Sequence, residues 1–171
     1  MRRPSAILGS LIFLLLAPGV VAGVVPWWIT HWQFRPPLFG VSIFRIVGVV
    51  LIVAGIPALL DSFARFALHG LGTPAPVLPT EHLVVTGLYR YVRNPMYVGV
   101  AALIFGEALL FGSVRLMAYG LAVSLCFHLF VVLYEEPKLT RTFGDEYREF
   151  RSNVPRWIPR WKPWHNDTAV N

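Results

Sequence analysis

The sequence predicts an all-α integral membrane helical bundle: four transmembrane helices, five being possible, followed by a cytoplasmic amphipathic C-terminal helix. Three observations carry this. Apolar residues make up 56% of the 171-residue chain and charged residues only 14%. Such a chain has too little polar surface to cover itself in water, so the bilayer must be its solvent. Four apolar segments, at 6–25, 38–60, 96–111 and 114–134, then follow one another. All must be helical, because no other open element satisfies its backbone in lipid. Finally, 15 Lys and Arg stand against 9 Asp and Glu, and they flank the apolar segments rather than forming a stripe. That is how membrane proteins are oriented, and it excludes a nucleic-acid surface.

The first segment follows Arg2 and Arg3 and ends in small residues, a pattern shared with signal peptides. At 20 residues it is long enough to span, and it is read as a retained first helix. Pro26, Trp27, Trp28 and Trp32 suit an interfacial belt after it. Pro36 and Pro37 are expected to end the next loop and open the second helix. Asp61, Ser62 and Arg65 extend that helix past the hydrocarbon to about Leu68. The third segment has 16 residues, short for a span, and only Gly112 and Ser113 separate it from the fourth. So short a link predicts a tight antiparallel hairpin. Lone Cys126 lies in an apolar run and can form no internal disulfide.

Charge counting orients the bundle. The N-terminus, the 61–94 connection and the tail from Glu135 together carry twelve of the basic residues; the opposite side has Arg35 and Arg115, with Arg45 inside the second helix. Both termini are therefore expected in the cytoplasm of a multi-pass protein. The chain divides into an N-terminal two-helix portion, 1–68, and a C-terminal portion, 69–171, that carries the chemistry. Residues 69–80 are a Gly/Pro-rich connection long enough to cross over a site. In 135–151, Leu139, Phe143, Tyr147 and Phe150 recur at spacings of four, four and three, the pattern of an amphipathic helix on the membrane surface or over the helix ends. Residues 155–164 are too proline-rich for a helix, and their Trp and basic residues suit the headgroup zone.

Two blocks stand out as chemistry-bearing: G-L-Y-R-Y-V-R-N-P-M-Y-V-G from Gly87 to Gly99, and E-E-P-K-L from Glu135 to Leu139. Taken singly, Arg90 and Arg93 read as charge anchors, Asn94–Pro95 as a helix start, and Glu135–Glu136 as the beginning of the surface helix. Taken together, both blocks emerge at the cytoplasmic ends of neighbouring helices. Arg90, Arg93, Asn94 and tyrosine hydroxyls then form one wall of a pocket, and two carboxylates the other. A small zwitterion with an ammonium, a carboxylate and ribose hydroxyls is complementary to such walls. Glu107 and His128 lie inside helices and are functional candidates by default in lipid; Arg45 offers a partner for a buried acid. The five His are scattered without paired spacing, so no metal site is expected.

Gly87, Tyr89, Arg93, Asn94, Pro95, Tyr97 and Gly99, then Glu135, Glu136 and Leu139, then Phe143, Gly144 and Tyr147, then Val154 and Pro155, resemble the isoprenylcysteine carboxyl methyltransferase family and its phospholipid-methyltransferase relatives. The resemblance covers about half the chain. It implies S-adenosyl-L-methionine as cofactor and a lipid-soluble small-molecule acceptor reached from the membrane lipids. Carried over by position, it implies cofactor contacts at Glu81, His82, Leu83, Val84, Tyr89, Asn94, Pro95, Met96, Tyr97 and Glu135. Arg90, Arg93, Glu135 and Glu136 are the candidate catalytic set, with the carboxylates assigned to the cofactor ammonium or ribose. His128 and Val131 are candidate acceptor contacts.

Two departures accompany the resemblance. Asn94 stands where many members have His. Val131 stands where prenylcysteine enzymes carry an Arg, which speaks for an acceptor needing no ion pair. The reaction implied is direct in-line methyl displacement, in which the protein aligns the reactants and excludes water. Other readings of the same pattern are a phospholipid N-methyltransferase or small-thiol S-methyltransferase of the same architecture, a nicotinamide-dependent membrane steroid-type reductase, and a non-enzymatic membrane transporter or assembly factor.

Overall fold

The computed structural model describes residues 12–68 and 83–165, with side chains of 66–68 excepted; Glu81, His82, the 69–80 connection and the two ends lie outside them. Among the described residues the structure is all-helical. Helix α1 is Ile12–Thr30, α2 is Ile43–Leu68, α3 is Pro95–Phe111, α4 is Val114–Phe130 and α5 is Glu136–Asn153. A π turn, Val131–Glu135, joins α4 to α5 without a break. Three helical runs are long and apolar enough to cross a membrane: Ile12–Thr30, Ile43–Arg65 and the run beginning at Val114. Helix α3, at 17 residues, is the shorter apolar helix among them.

The tightest packing is between α2 and α3, and glycine makes it possible. A Cβ on Gly48 would lie 2.6 Å from the Gly106 carbonyl oxygen, and one on Gly55 would lie 3.0 Å from that of Gly99. The two pairs run in opposite order along the chain, so the helices are antiparallel and touch backbone to backbone at two points seven residues apart. Helix association in lipid depends on such close approach, because lipid tails are as apolar as the side chains. Around this seam Leu59, Phe63, Met96, Val100, Ile104, Ala108 and Leu116 form the core, with Ala22 of α1. Tyr119 ties α4 to α1 by donating to the Val21 carbonyl at 2.9 Å.

The α3–α4 hairpin turns as its two-residue link predicts. Gly112 has φ +68° and Ser113 Oγ accepts from the Leu116 amide at 3.2 Å. A side chain at 112 would also collide with the Pro36 carbonyl.

Two boundaries differ from the sequence reading. Helix α1 continues through Pro26 to Thr30, and Pro26 is buried rather than part of an exposed belt. The preceding π turn, Val20–Val24, widens the helix where the proline cannot donate. Pro36 and Pro37 do not open α2 directly. A 3-10 turn, Leu38–Gly40, with Phe39 at φ +54°, intervenes. Trp27, Trp28 and Trp32 are exposed, as expected. Helix α2 does run to Leu68.

Beyond the π turn, Gly144 adopts φ +54°, ψ −122° and breaks α5 midway. Leu139, Phe143, Tyr147 and Phe150 gather with Leu83, Val85, Val154 and Trp164 in one apolar cluster. The face found by spacing therefore covers the segment that leads into the first motif block. The tail straps onto that block as well. Arg93 N donates to the Pro155 carbonyl, Arg160 N to that of Tyr91, and Trp164 N to that of Arg90, at 2.9–3.0 Å.

Candidate active site

The first block is positioned by its glycine. Gly87 begins a 3-10 turn, Gly87–Arg90, with φ +54°, and the Arg65 guanidinium fills the space a Cβ would need. Arg65 is itself held by Asp61 one turn back, at 2.8 Å. Tyr89 then turns inward. It is 6% exposed, and its hydroxyl meets that of Ser62 on α2. Burial raises its phenol above the ordinary value, so it stays a neutral hydroxyl.

Asn94 and Pro95 open α3, Pro95 at the first position. The Asn94 side chain does not cap the helix; its Nδ2 donates to the Arg156 carbonyl of the tail at 3.2 Å. Pro95 is buried and Met96 belongs to the apolar core. Val84 is buried, and Leu83 packs against the α5 cluster.

The two blocks meet. The Tyr97 hydroxyl donates to Glu135 Oε2 at 3.1 Å. One residue on, Glu136 receives Arg93 at 2.8 Å and Arg156 through two contacts at 2.6 and 3.0 Å. The Arg93–Glu136 pair is nearly dry, with side chains 9% and 5% exposed. The Arg156 guanidinium is raised above its ordinary value, first by its hydrogen bond to Glu136. Glu136 and Arg93 therefore engage one another, whereas Glu135 meets a neutral hydroxyl. Arg90 braces the tail with Nε on the Trp164 carbonyl at 2.8 Å.

Aromatic rings border the Tyr97–Glu135 contact. Tyr97 lies 4.7 Å from Phe127 and 6.4 Å from Trp157, centroid to centroid. Trp157 Nε1 donates to His128 Nδ1 at 3.1 Å, which leaves the imidazole proton of neutral His128 on Nε2. His128 is exposed on α4; Val131 is 1% exposed. Val131 shares its π-turn hydrogen bond with Glu136, whose amide donates to the Val131 carbonyl, so the α-helical i, i+4 register with Glu135 is broken there.

A cavity of about 570 Å³ opens beside the first block, lined by Arg65, Leu83, Thr86, Arg90, Glu146 and Trp164 among others. Two buried polar atoms of these residues, Thr86 Oγ1 and Arg90 Nη2, have no hydrogen-bond partner. No sequence pattern assigns Arg65, Glu146, Arg156, Trp157 or Trp164 to this site. The composition of 155–164 suits the headgroup zone, and nothing in its spacing shows that the run returns to residues 90–94. Glu107 and Arg45 are not brought into this site. Arg45 Nη2 donates to the Arg35 carbonyl at 2.7 Å and the guanidinium lies over the Phe34 ring, rather than pairing with an acid. Glu107 Oε2 is buried without a partner.

Residues 43–146 match the family model described as phospholipid methyltransferase. The chain is 38% identical over 81 residues to the protein-S-isoprenylcysteine O-methyltransferase of Schizosaccharomyces pombe, covering 46% of this chain and 34% of that protein. It is 27% identical over 143 residues to methanethiol S-methyltransferase 1 of Bradyrhizobium diazoefficiens, covering 77% and 46%. It is 37% identical over 105 residues to the phosphatidylethanolamine N-methyltransferase of Laccaria bicolor, covering 60% and 11%. The chain thus spans less than half the length of each of these relatives. The family model takes in α2, α3, α4, both motif blocks and their meeting point at Tyr97–Glu135, and on that match the chain belongs to the phospholipid methyltransferase family.

Proposed function

We propose that this protein is an integral-membrane methyltransferase that uses S-adenosyl-L-methionine and methylates a lipid-soluble acceptor entering from the bilayer. The observation that supports this most is the convergence of the two motif blocks, Tyr97 on Glu135 and Arg93 on Glu136, within the stretch the family model matches. The residues present fit the cofactor. The cavity of about 570 Å³ has room for a nucleoside, and the unpartnered Thr86 hydroxyl and Arg90 Nη2 suit its hydroxyls and carboxylate.

When bound, the cofactor supplies a sulfonium-borne methyl group open to in-line displacement. Arg90 holds the cofactor carboxylate, since the Arg93 guanidinium is directed to Glu136. Glu135, held by Tyr97 and outside the lining of that cavity, would take the ammonium or a ribose hydroxyl. Glu136, Arg93 and Arg156 act one step back, clamping the tail over the helix ends so that the aligned reactants are shielded from water. The Phe127, Tyr97 and Trp157 rings with His128 form the lipid-side wall along which the acceptor approaches. The nucleophile is a thiol, amine or hydroxyl on a hydrophobic molecule.

The bundle spans four times, with α3 crossing as the shorter arm of its hairpin with α4, and both termini are cytoplasmic. Helix α5 lies at that surface. Labelling at Gln33→Cys and at Ser152→Cys, in a Cys126→Ser background, is expected from opposite sides of sealed vesicles; labelling of both from one side refutes the orientation.

The cofactor assignment is tested by thermal unfolding of the detergent-solubilised protein. S-adenosylhomocysteine at a hundredfold excess over its Kd is expected to add about 2.7 kcal/mol. Stabilisation by a nicotinamide nucleotide in its place would assign the protein to the reductase reading.

A further inference from the structure

A second cavity, of about 330 Å³, borders the Glu136 network, lined by Val132, Glu136, Thr140, Arg141, Arg151 and Arg156 among others. Its charge is unbalanced. Glu136 is already matched by Arg93 and Arg156. Arg151 reaches it only at 3.8 Å with its side chain 52% exposed, and Arg141 is exposed with no partner among the described residues. Two further cations therefore face a cavity whose one carboxylate is taken. Positive charge arranged this way, at the end of a membrane helix, matches a phosphate monoanion.

The cavity floor distinguishes a lipid from free phosphate. Val132, in the π turn, follows a stripe on α4 formed by Leu121, Leu125 and Leu129, which are 61%, 59% and 47% exposed. The steps of four keep the three leucines on one face of α4, and Val132 comes three residues after the last of them, at the start of the π turn. From Leu121 to Val132 the helix rises about 16 Å, close to half of a hydrocarbon core that is about 30 Å thick. An uncovered apolar stripe one leaflet deep thus leads directly into a cation-lined cavity. We propose that this groove binds one anionic phospholipid of the cytoplasmic leaflet, its phosphate between Arg141 and Arg151 and an acyl chain along Leu121, Leu125 and Leu129. The site requires only that the chain is membrane-embedded; it stands or falls independently of methyl transfer.

Native mass spectrometry of the full chain, delipidated in mild detergent and titrated with phosphatidylglycerol or phosphatidylcholine, tests it. One phosphatidylglycerol is expected to be retained in preference to phosphatidylcholine. In Arg141→Gln/Arg151→Gln its retention is expected to fall roughly thirtyfold, the effect of removing two cations beside an anionic lipid. Arg141→Lys/Arg151→Lys, which keeps both charges, is expected to hold it. Both residues are exposed, so the lipid-free thermal midpoint of the glutamine variant should match wild type. Equal retention of the two lipids, or undiminished retention in the glutamine variant, overturns the proposal. So does displacement by millimolar inorganic phosphate, which would make this a site for soluble phosphate.

Discussion

The Tyr97 hydroxyl on the first turn of α3 donates to Glu135, 38 residues later at the end of the π turn, at 3.1 Å. The contact joins the two motif blocks and orients the carboxylate that is not consumed by arginine. If Glu135 holds a cationic or hydroxyl group of the cofactor, the contribution is that of a charge-assisted hydrogen bond, about 1.5–3 kcal/mol. Glu135→Gln is therefore expected to weaken S-adenosylhomocysteine binding in calorimetry by about tenfold or more, and Tyr97→Phe by less, since it frees the carboxylate without removing it. Wild-type affinity in both variants would move the cofactor site elsewhere.

Arg93 and Glu136 form the driest ion pair among the described residues. Removing one partner from such a pair leaves a buried charge uncompensated and costs about 3–5 kcal/mol. Glu136→Ala strands both Arg93 and Arg156 and is expected to lower the thermal midpoint more than Arg93→Ala, because in the latter Arg156 still faces the carboxylate. Circular dichroism melts in detergent measure this; an unshifted midpoint for Glu136→Ala would show that the network carries no stability.

At Gly48 a Cβ meets the Gly106 carbonyl oxygen at 2.6 Å and the Leu110 amide nitrogen at 2.8 Å. Both are backbone atoms of a packed helix and cannot swing aside. Gly48→Ala is expected to destabilise the α2–α3 pair by about 1–3 kcal/mol, the usual cost of overpacking. Gly23→Ala is the control: nothing lies within 4 Å of its Cβ. That change should be neutral or slightly stabilising in the same thermal assay, and equal losses at both positions would contradict the seam.

Val131 is buried, 1% exposed. No cation stands there to meet an acceptor carboxylate. Farnesylcysteine analogues are expected to be poor methyl acceptors, while an uncharged membrane-soluble thiol, amine or hydroxyl compound is methylated. Rapid turnover of a prenylcysteine acceptor in a radiolabelled-methyl assay would show that position 131 does not govern acceptor choice.

What the sequence by itself determined is the set of helices, their hairpin and the two motif blocks that the family match takes in. Lipid leaves a backbone few options, so apolar length, Gly112–Ser113 and Pro95 place α2, α3 and α4 to within a few residues. The pairing of α2 with α3 through Gly48, Gly55, Gly99 and Gly106 is a different matter: it emerges only from the structure, where the backbones meet at these positions.

Only the tertiary structure decided how the functional groups divide their work. Glu135 and Glu136 are chemically alike and adjacent, and no periodicity distinguishes them. The π turn and the returning tail do, by bringing Arg93 from 43 residues upstream and Arg156 from 20 downstream onto Glu136 while turning Glu135 toward Tyr97. The tail's course over residues 90–94 is equally hidden, because the bonds that hold it, from backbone amides and from Arg90 and Asn94, all end on backbone carbonyls that any residue offers. Ion-pair choice and backbone docking depend on distances across the fold, and distance between remote residues is set by packing rather than by local pattern.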